Sequence, residues 1–119
     1  MFENNKNIWV YIETEEGKPK AVGFELLSPG RDIADKRGCS LVAVVIGNGV
    51  EETAKQAIAY GADQVLLLDA PEYNIYNTDV FGEAMVGLIE KYQPEGILIG
   101  ATNNGRDLGP CVSCRIKTG

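Results

Sequence analysis

The sequence of 119 residues contains no histidine. This absence excludes the serine–histidine and cysteine–histidine arrangements of nucleophilic catalysis, and it removes imidazole as a general base and as a metal ligand. Any acid–base chemistry would therefore rest on carboxylates, lysine or tyrosine. Most of the 17 acidic residues lie in polar stretches and are interpreted as solvated surface positions.

Cysteine is also scarce, with three residues at Cys39, Cys111 and Cys114. An odd number of cysteines in a chain without an export signal predicts free thiols in a reducing compartment. A structural zinc site needs four ligands, and the sequence has neither histidine nor a second cysteine pair to supply them, so no metal site is predicted. Cys111 and Cys114 have the spacing of a redox pair, but helix packing is the favoured interpretation.

Long apolar runs and basic clusters are missing as well. No segment is long enough to cross a bilayer, and the amino terminus lacks the pattern of an export signal, so a cytoplasmic protein without membrane insertion is expected. The net charge of −6 argues against a nucleic-acid surface, which needs clustered lysine and arginine. With 45% apolar and 24% charged residues, the chain is interpreted as one soluble domain spanning residues 1–119.

Four short apolar runs alternate with segments of helical periodicity. The predicted strands are Ile8–Ile12 and residues 41–46, 64–68 and 97–99. They lack the regular apolar–polar alternation of a strand with one solvated face. Alternating strands and helices of this length predict one parallel sheet with right-handed crossovers, helices on both faces and the first strand in the centre.

Capping residues delimit the later helices. Residues 51–60 begin with two glutamates and are followed by Gly61, which favours a short helix. The next helix starts at Thr78, predicted as its N-cap, and continues until Pro94 ends it. A last helix is predicted to reach about Lys117.

Two starts remain open for the first helix, whose end is predicted at Gly38. Ser28 and Pro29 suit an N-cap followed by proline in the first helical position. Alternatively, the helix begins near Phe24 and contains the proline in its interior.

A glycine pair after the second strand resembles the opening of a dinucleotide-binding loop. Residues 47–49 read Gly-Asn-Gly, and Asp69 stands at the end of the next strand. However, Glu52 replaces the third glycine of that pattern, and its charge would repel a pyrophosphate. A plain turn between strand and helix is the favoured interpretation.

The segment after the fourth strand is the strongest candidate for a functional site. An apolar run stops at Gly100 and continues into small and amide residues, followed by a helix-competent segment. In a parallel α/β sheet this transition lies at the carboxyl edge, where such folds bind ligands and partners. The candidate binding residues are Thr102, Asn103, Asn104, Gly105 and Arg106.

The chemistry of this segment leaves two interpretations open. Asn104 and Gly105 are typical of a turn whose side chains cap the following helix. Alternatively, the amides and Arg106 form a contact surface, since amides donate and accept hydrogen bonds and a guanidinium group can clamp a carboxylate or a phosphate. No residue is predicted to be catalytic.

Three segments together resemble the amino-terminal domain of the alpha subunit of electron transfer flavoprotein. They are residues 60–69, 94–102 and 103–110, of which the last is the most specific. The resemblance covers essentially the whole chain. Cys111 departs from it, because the family usually has a basic residue after the glycine–proline pair.

The resemblance implies a three-layer α/β fold, Rossmann-like and similar to that of the adenine nucleotide alpha hydrolases. Proteins of this family are heterodimers that carry electrons between dehydrogenases or NADH and downstream acceptors, and some belong to electron-bifurcating complexes. The FAD of the full-length heterodimer is held mainly by a carboxy-terminal domain, which would follow Gly119. This chain is then the amino-terminal domain of a longer alpha subunit, an electron carrier rather than an enzyme, with no cofactor of its own.

The implied partners are the beta subunit and redox enzymes of the acyl-CoA dehydrogenase type. The domain would serve as scaffold and subunit interface, with residues 102–106 facing the beta subunit or its bound nucleotide. The alternative from another class is a free-standing adenine-nucleotide-binding module. Such a module would need a phosphate-binding glycine loop after the first strand, where residues 13–17 are acidic.

Overall fold

The computed structural model describes residues 7–15, 17–100 and 108–109, within which strands and helices alternate as predicted. The strands are β1 (Ile8–Ile12), β2 (Thr14–Glu15), β3 (Lys18–Pro19), β4 (Leu41–Gly47), β5 (Gln64–Asp69) and β6 (Gly96–Leu98). The helices are α1 (Ala21–Arg37), α2 (Glu51–Ala59) and α3 (Thr78–Tyr92), with one 3₁₀ turn at Pro71–Tyr73. In this part of the chain, no helix combines the length and the apolar character needed to cross a membrane.

Strand β1 occupies the interior of the main sheet, as predicted. The sheet is parallel and has the order β5-β4-β1-β6. Ile8 lies opposite Leu41 of β4 on one side and Gly96 of β6 on the other. Every residue of β1 and β4 is buried. These two strands therefore form continuous apolar runs in the sequence, since neither face contacts water.

Helices cover both faces of this sheet, which gives the predicted three layers. On one face, Leu27 of α1 and Ala57 of α2 pack with Val10. On the other face, Phe81 of α3 packs with Trp9. Successive residues of β1 thus contribute alternately to the two cores, because side chains of a strand point to opposite faces in turn. Trp9 is a core residue.

Helix α1 is longer than a start at Ser28 would allow, so that interpretation is wrong. The helix begins at Ala21, contains Pro29 in its interior, and ends at Gly38, which has a left-handed φ of 66°. Proline removes one donor and leaves the carbonyl four residues earlier, that of Glu25, without its helical partner. Both residues lie on the exposed side of the helix, so water can satisfy this carbonyl.

The N-cap of α3 is Asn77, whereas Thr78 is the first helical residue. The Asn77 side-chain oxygen accepts hydrogen bonds from the backbone N–H of Asp79 at 3.0 Å and of Val80 at 3.1 Å. These two N–H groups have no acceptor within the helix, so one side chain satisfies both. The predicted last helix is described only at residues 108 and 109, which are helical, and its continuation to Lys117 lies outside the described residues.

Charged pairs connect the elements at the amino edge of the sheet. Arg31 of α1 contacts the Asp63 carboxylate at 2.9 Å, and this carboxylate also accepts a hydrogen bond from the Leu41 N–H at 2.9 Å. Arg37 pairs with Glu95 beside them. Partial burial alone would raise the pKa of Asp63, but the Leu41 N–H and Arg31 outweigh it and leave the pKa lowered.

Candidate functional site

The topology places a switch point between β1 and β6. From β1 the chain proceeds outward to β4 and β5, and then returns to the other side of β1 with β6. The crossover helices α1 and α3 pack on opposite faces of the sheet, so the switch point lies at the carboxyl ends of β1 and β6. Parallel α/β sheets bind their ligands in this position.

The five predicted site residues, Thr102, Asn103, Asn104, Gly105 and Arg106, lie outside the described residues. They follow β6 in the sequence, and the described residues on either side of them, Gly100 and Leu108, are both buried. Leu108 packs in the core on the α3 face. The placement of the five residues therefore stays a prediction.

Two glycines allow the start of α1 to approach the end of β1 and the residues just after β6. A Cβ atom on Gly23 would lie 3.0 Å from the Cα of Ile12, and one on Gly100 would lie 2.8 Å from Cγ2 of Val22. Both distances are shorter than ordinary contacts, so only glycine fits without movement. Val22 of the same chain takes up the space beside Gly100.

An ion pair between a buried carboxylate and a partly exposed lysine lies at the carboxyl end of β1. The Glu13 side chain is only 3% exposed, and its Oε2 atom lies 3.1 Å from Nζ of Lys20. The Lys20 backbone N–H also donates to the Glu13 carbonyl at 2.8 Å. The hydrogen bond and the charge of Glu13 raise the pKa of Lys20. This pair closes the hairpin of β2 and β3 and fixes where the chain enters α1.

The ion pair was not predicted from the sequence. The signal was an acid directly after a fully apolar strand, with Gly17 and a lysine following within a turn. Gly17 does form the turn, with a φ of 79°. The hairpin then returns Lys20 to Glu13, a contact that helical or strand periodicity does not encode.

The hydroxyl group of Tyr11 is buried beside this pair without a hydrogen-bond partner. Tyr11 is 2% exposed and belongs to the core on the α3 face. Burial, the charge of Glu13 and the nearby Tyr76 together raise its pKa far above the ordinary tyrosine value, so it remains protonated. A protonated, buried hydroxyl at the strand end can donate one hydrogen bond and cannot serve as a base at neutral pH.

The glycine turn after β4 binds a carboxylate of the same chain. The Asp69 carboxylate accepts hydrogen bonds from the backbone N–H of Gly49 at 2.8 Å and of Val50 at 3.0 Å. These are the groups with which a dinucleotide-binding loop would hold a pyrophosphate. The favoured interpretation of residues 47–49 as a plain turn is in accord with this geometry.

The described residues bring together no three histidine, cysteine, aspartate or glutamate side chains that could hold a metal ion. Cys39 is a half-buried free thiol. Cys111 and Cys114, the residues with redox spacing, lie outside the described residues.

Comparison with known proteins gives one consistent result. The electron transfer flavoprotein domain matches residues 8–119. The acryloyl-CoA reductase electron transfer subunit beta of Anaerotignum propionicum is 47% identical over 114 residues, which is 96% of this chain and 31% of that protein. The electron transfer flavoprotein subunit alpha of Thermoanaerobacterium thermosaccharolyticum is 42% identical over 96% of this chain and 34% of its own length.

A third relative, the protein FixB of Rhizobium meliloti, is 41% identical over 123 aligned positions, which cover 100% of this chain and 35% of that protein. The chain thus spans about a third of the length of the curated relatives it matches.

Proposed function

The chain belongs to the electron transfer flavoprotein domain family, and we propose that it is the amino-terminal domain of an alpha subunit in a heterodimeric electron carrier. The observation that carries this proposal is the identity of 42% with a named alpha subunit across 96% of the chain. In this role the domain is a scaffold and subunit interface. It does not itself catalyse a reaction.

The geometry supports a structural role in preference to nucleotide binding. Asp69 occupies the N–H groups at the start of α2, and Val22 fills the space beside Gly100 at the switch point. A nucleotide bound at either position would have to displace these groups. We therefore assign FAD to the longer protein of which this chain is the first part, and no cofactor to residues 1–119.

The proposed partners are a beta subunit and a redox enzyme that acts on coenzyme A thioesters. The relative from Anaerotignum propionicum is named for acryloyl-CoA reductase, which supports a partner of the acyl-CoA dehydrogenase type. Residues 102–106 remain our candidates for contact with the beta subunit or its bound nucleotide. A cytoplasmic location accords with this role.

Mixing the chain with the beta subunit of its source organism tests the proposal. We expect light scattering during gel filtration to detect a one-to-one complex, and the chain alone to show no flavin absorbance. Titration of the chain with AMP and ATP in a calorimeter serves as the comparison. Heat from stoichiometric nucleotide binding, together with no association with the beta subunit, would establish the nucleotide-binding module instead.

A further inference from the structure

The turn between β4 and α2 contains an asparagine that directly precedes a glycine. Asn48 and Gly49 are both exposed there. Of the asparagines that the structure describes, Asn48 is the one with this neighbour, since Asn7 and Asn74 precede isoleucine and Asn77 precedes threonine. Glycine has no Cβ and leaves its own backbone nitrogen accessible, whereas a β-branched side chain shields that nitrogen. Asn48 is therefore the described asparagine most open to attack by the next backbone nitrogen.

Such an attack would convert Asn48 without an enzyme. The Gly49 nitrogen forms a bond to Cγ of Asn48, and its proton passes through water to the side-chain nitrogen, which leaves as ammonia. One water molecule then opens the resulting cyclic imide at either of its carbonyl carbons. The product is aspartate or isoaspartate, in which the backbone runs through the side-chain carbon. The whole reaction consumes one water, releases one ammonia and places a new carboxylate in the turn.

In the folded chain, the Asp69 carboxylate holds the attacking nitrogen. Its Oδ1 atom accepts a hydrogen bond from the Gly49 N–H at 2.8 Å, and its Oδ2 atom accepts one from the Val50 N–H at 3.0 Å. Before it can attack, the Gly49 nitrogen must leave this acceptor and give up its proton, and negative charge then develops beside the carboxylate. Loss of a charge-assisted hydrogen bond and the approach of like charges both raise the barrier. Asp69 is thus placed to slow the reaction.

We propose that Asn48 is a site of spontaneous deamidation and that Asp69 protects it in the folded chain. The turn also packs against the hairpin of β2 and β3, because a Cβ atom on Gly17 would lie 3.1 Å from the Asn48 carbonyl oxygen. A new carboxylate at position 48 repels Asp69, and isoaspartate lengthens the backbone by one carbon at this contact. The modification therefore loosens the start of α2 and the hairpin together. The site does not depend on the electron-transfer role.

Incubation of the chain in mildly alkaline buffer, followed by tryptic digestion and mass spectrometry, tests the proposal. The tryptic peptide of residues 38–55 contains Asn48 as its only side-chain amide, so the mass gained when an amide becomes a carboxylate assigns the reaction to this residue. Asp69→Ala should deamidate about tenfold faster than the native chain, because one hydrogen bond to a charged group corresponds to about that factor in rate. A synthetic peptide of residues 46–50, which lacks Asp69, should react at least as fast as this variant.

Gly100→Ala is the control for a general loss of stability, because it creates a close contact with Val22 on the other side of β1 and leaves Asp69 in place. Its Asn48 should react at the native rate. Asn48→Gln keeps an amide but must close a larger ring, which forms more slowly, and it should gain no mass over the same period. Equal acceleration in the Asp69 and Gly100 variants would overturn the proposal. A native chain that reacts as fast as the peptide, or an Asp69 variant that reacts no faster than the native chain, would overturn it as well.

Discussion

The Asp69 carboxylate at the end of β5 accepts a hydrogen bond from the Gly49 N–H at 2.8 Å. The N–H groups before α2 therefore bind a side chain of the same protein. Removal of this carboxylate by Asp69→Ala should lower the free energy of unfolding by about 1–3 kcal/mol, because the N–H groups of Gly49 and Val50 lose their charged acceptor. Sulfate should restore part of the loss, because the vacated N–H groups bind anions.

Thermal melts with and without sodium sulfate measure this effect. The matched control is Glu72→Ala, which removes an exposed carboxylate from the neighbouring 3₁₀ turn. Sulfate should raise the melting temperature of the Asp69 variant more than that of this control. Equal responses of the two variants would show that the hydrogen bonds to Asp69 contribute little to stability.

Gly100 and Val22 are predicted to be energetically coupled. A methyl group at Gly100 would lie 2.8 Å from Cγ2 of Val22, and valine cannot rotate away easily because it is branched at Cβ. Gly100→Ala should therefore cost about 1–3 kcal/mol of stability, as overpacking does. The double variant with Val22→Ala should recover much of this cost, which chemical denaturation in a double-mutant cycle measures.

Gly87→Ala is the control for this cycle. A Cβ atom on Gly87 meets nothing within 4 Å, and alanine is preferred to glycine inside a helix by about 0.5–1 kcal/mol. This variant should be more stable than the native chain. If Gly100→Ala is equally stable, the start of α1 does not press against the end of β6.

Tyr11→Phe is predicted to keep or increase the stability of the chain. The substitution removes a hydroxyl group that is buried without a partner, and such a group costs about 1–3 kcal/mol where it remains unsatisfied. Urea unfolding measures the change, with Tyr60→Phe as the exposed control. A large loss of stability in the Tyr11 variant alone would mean that the hydroxyl group donates a structural hydrogen bond.

Asp63 makes the stability of the chain depend on pH in the acid range. Its pKa is lowered in the folded state, so its contribution is complete above about pH 4, the ordinary aspartate value, and is lost as the pH falls through the lowered pKa. Asp63→Ala should lower the free energy of unfolding at pH 7. It should also make that free energy depend less on pH in the acid range. Asp32→Ala, which removes an exposed carboxylate from α1, is the matched control and should cost less stability at pH 7.

Arg106→Ala tests the predicted interface. We expect the melting temperature of the chain alone to change little, whereas assembly with the beta subunit should weaken by about 2–5 kcal/mol, the cost of truncating a charge in a desolvated contact. Lys36→Ala on the exposed end of α1 is the matched control. Unfolding of the Arg106 variant, combined with normal assembly of the protein that survives, would make Arg106 a structural residue.

The sheet could be predicted from the sequence because β1 and β4 are buried on both faces, which leaves an apolar run that composition alone reveals. The start of α1 could not, since the exposed position of Pro29 makes a proline inside the helix tolerable. The predicted cap Thr78 was one residue away from Asn77. The contacts of Glu13 with Lys20 and of Asp69 with Gly49 depend on the path of the loops in the folded chain. The periodicity and capping residues of single segments do not specify that path.

The central place of β1 has a consequence for the order of events during synthesis. Ile8–Ile12 is made well before its neighbour β6, which ends only at Leu98. At 5–20 residues per second, roughly 4–17 s pass before both neighbours exist. During that time one edge of a fully apolar strand has nothing to pair with. The nascent chain is therefore most prone to aggregate before β6 emerges, and chaperone binding is expected at the first strand.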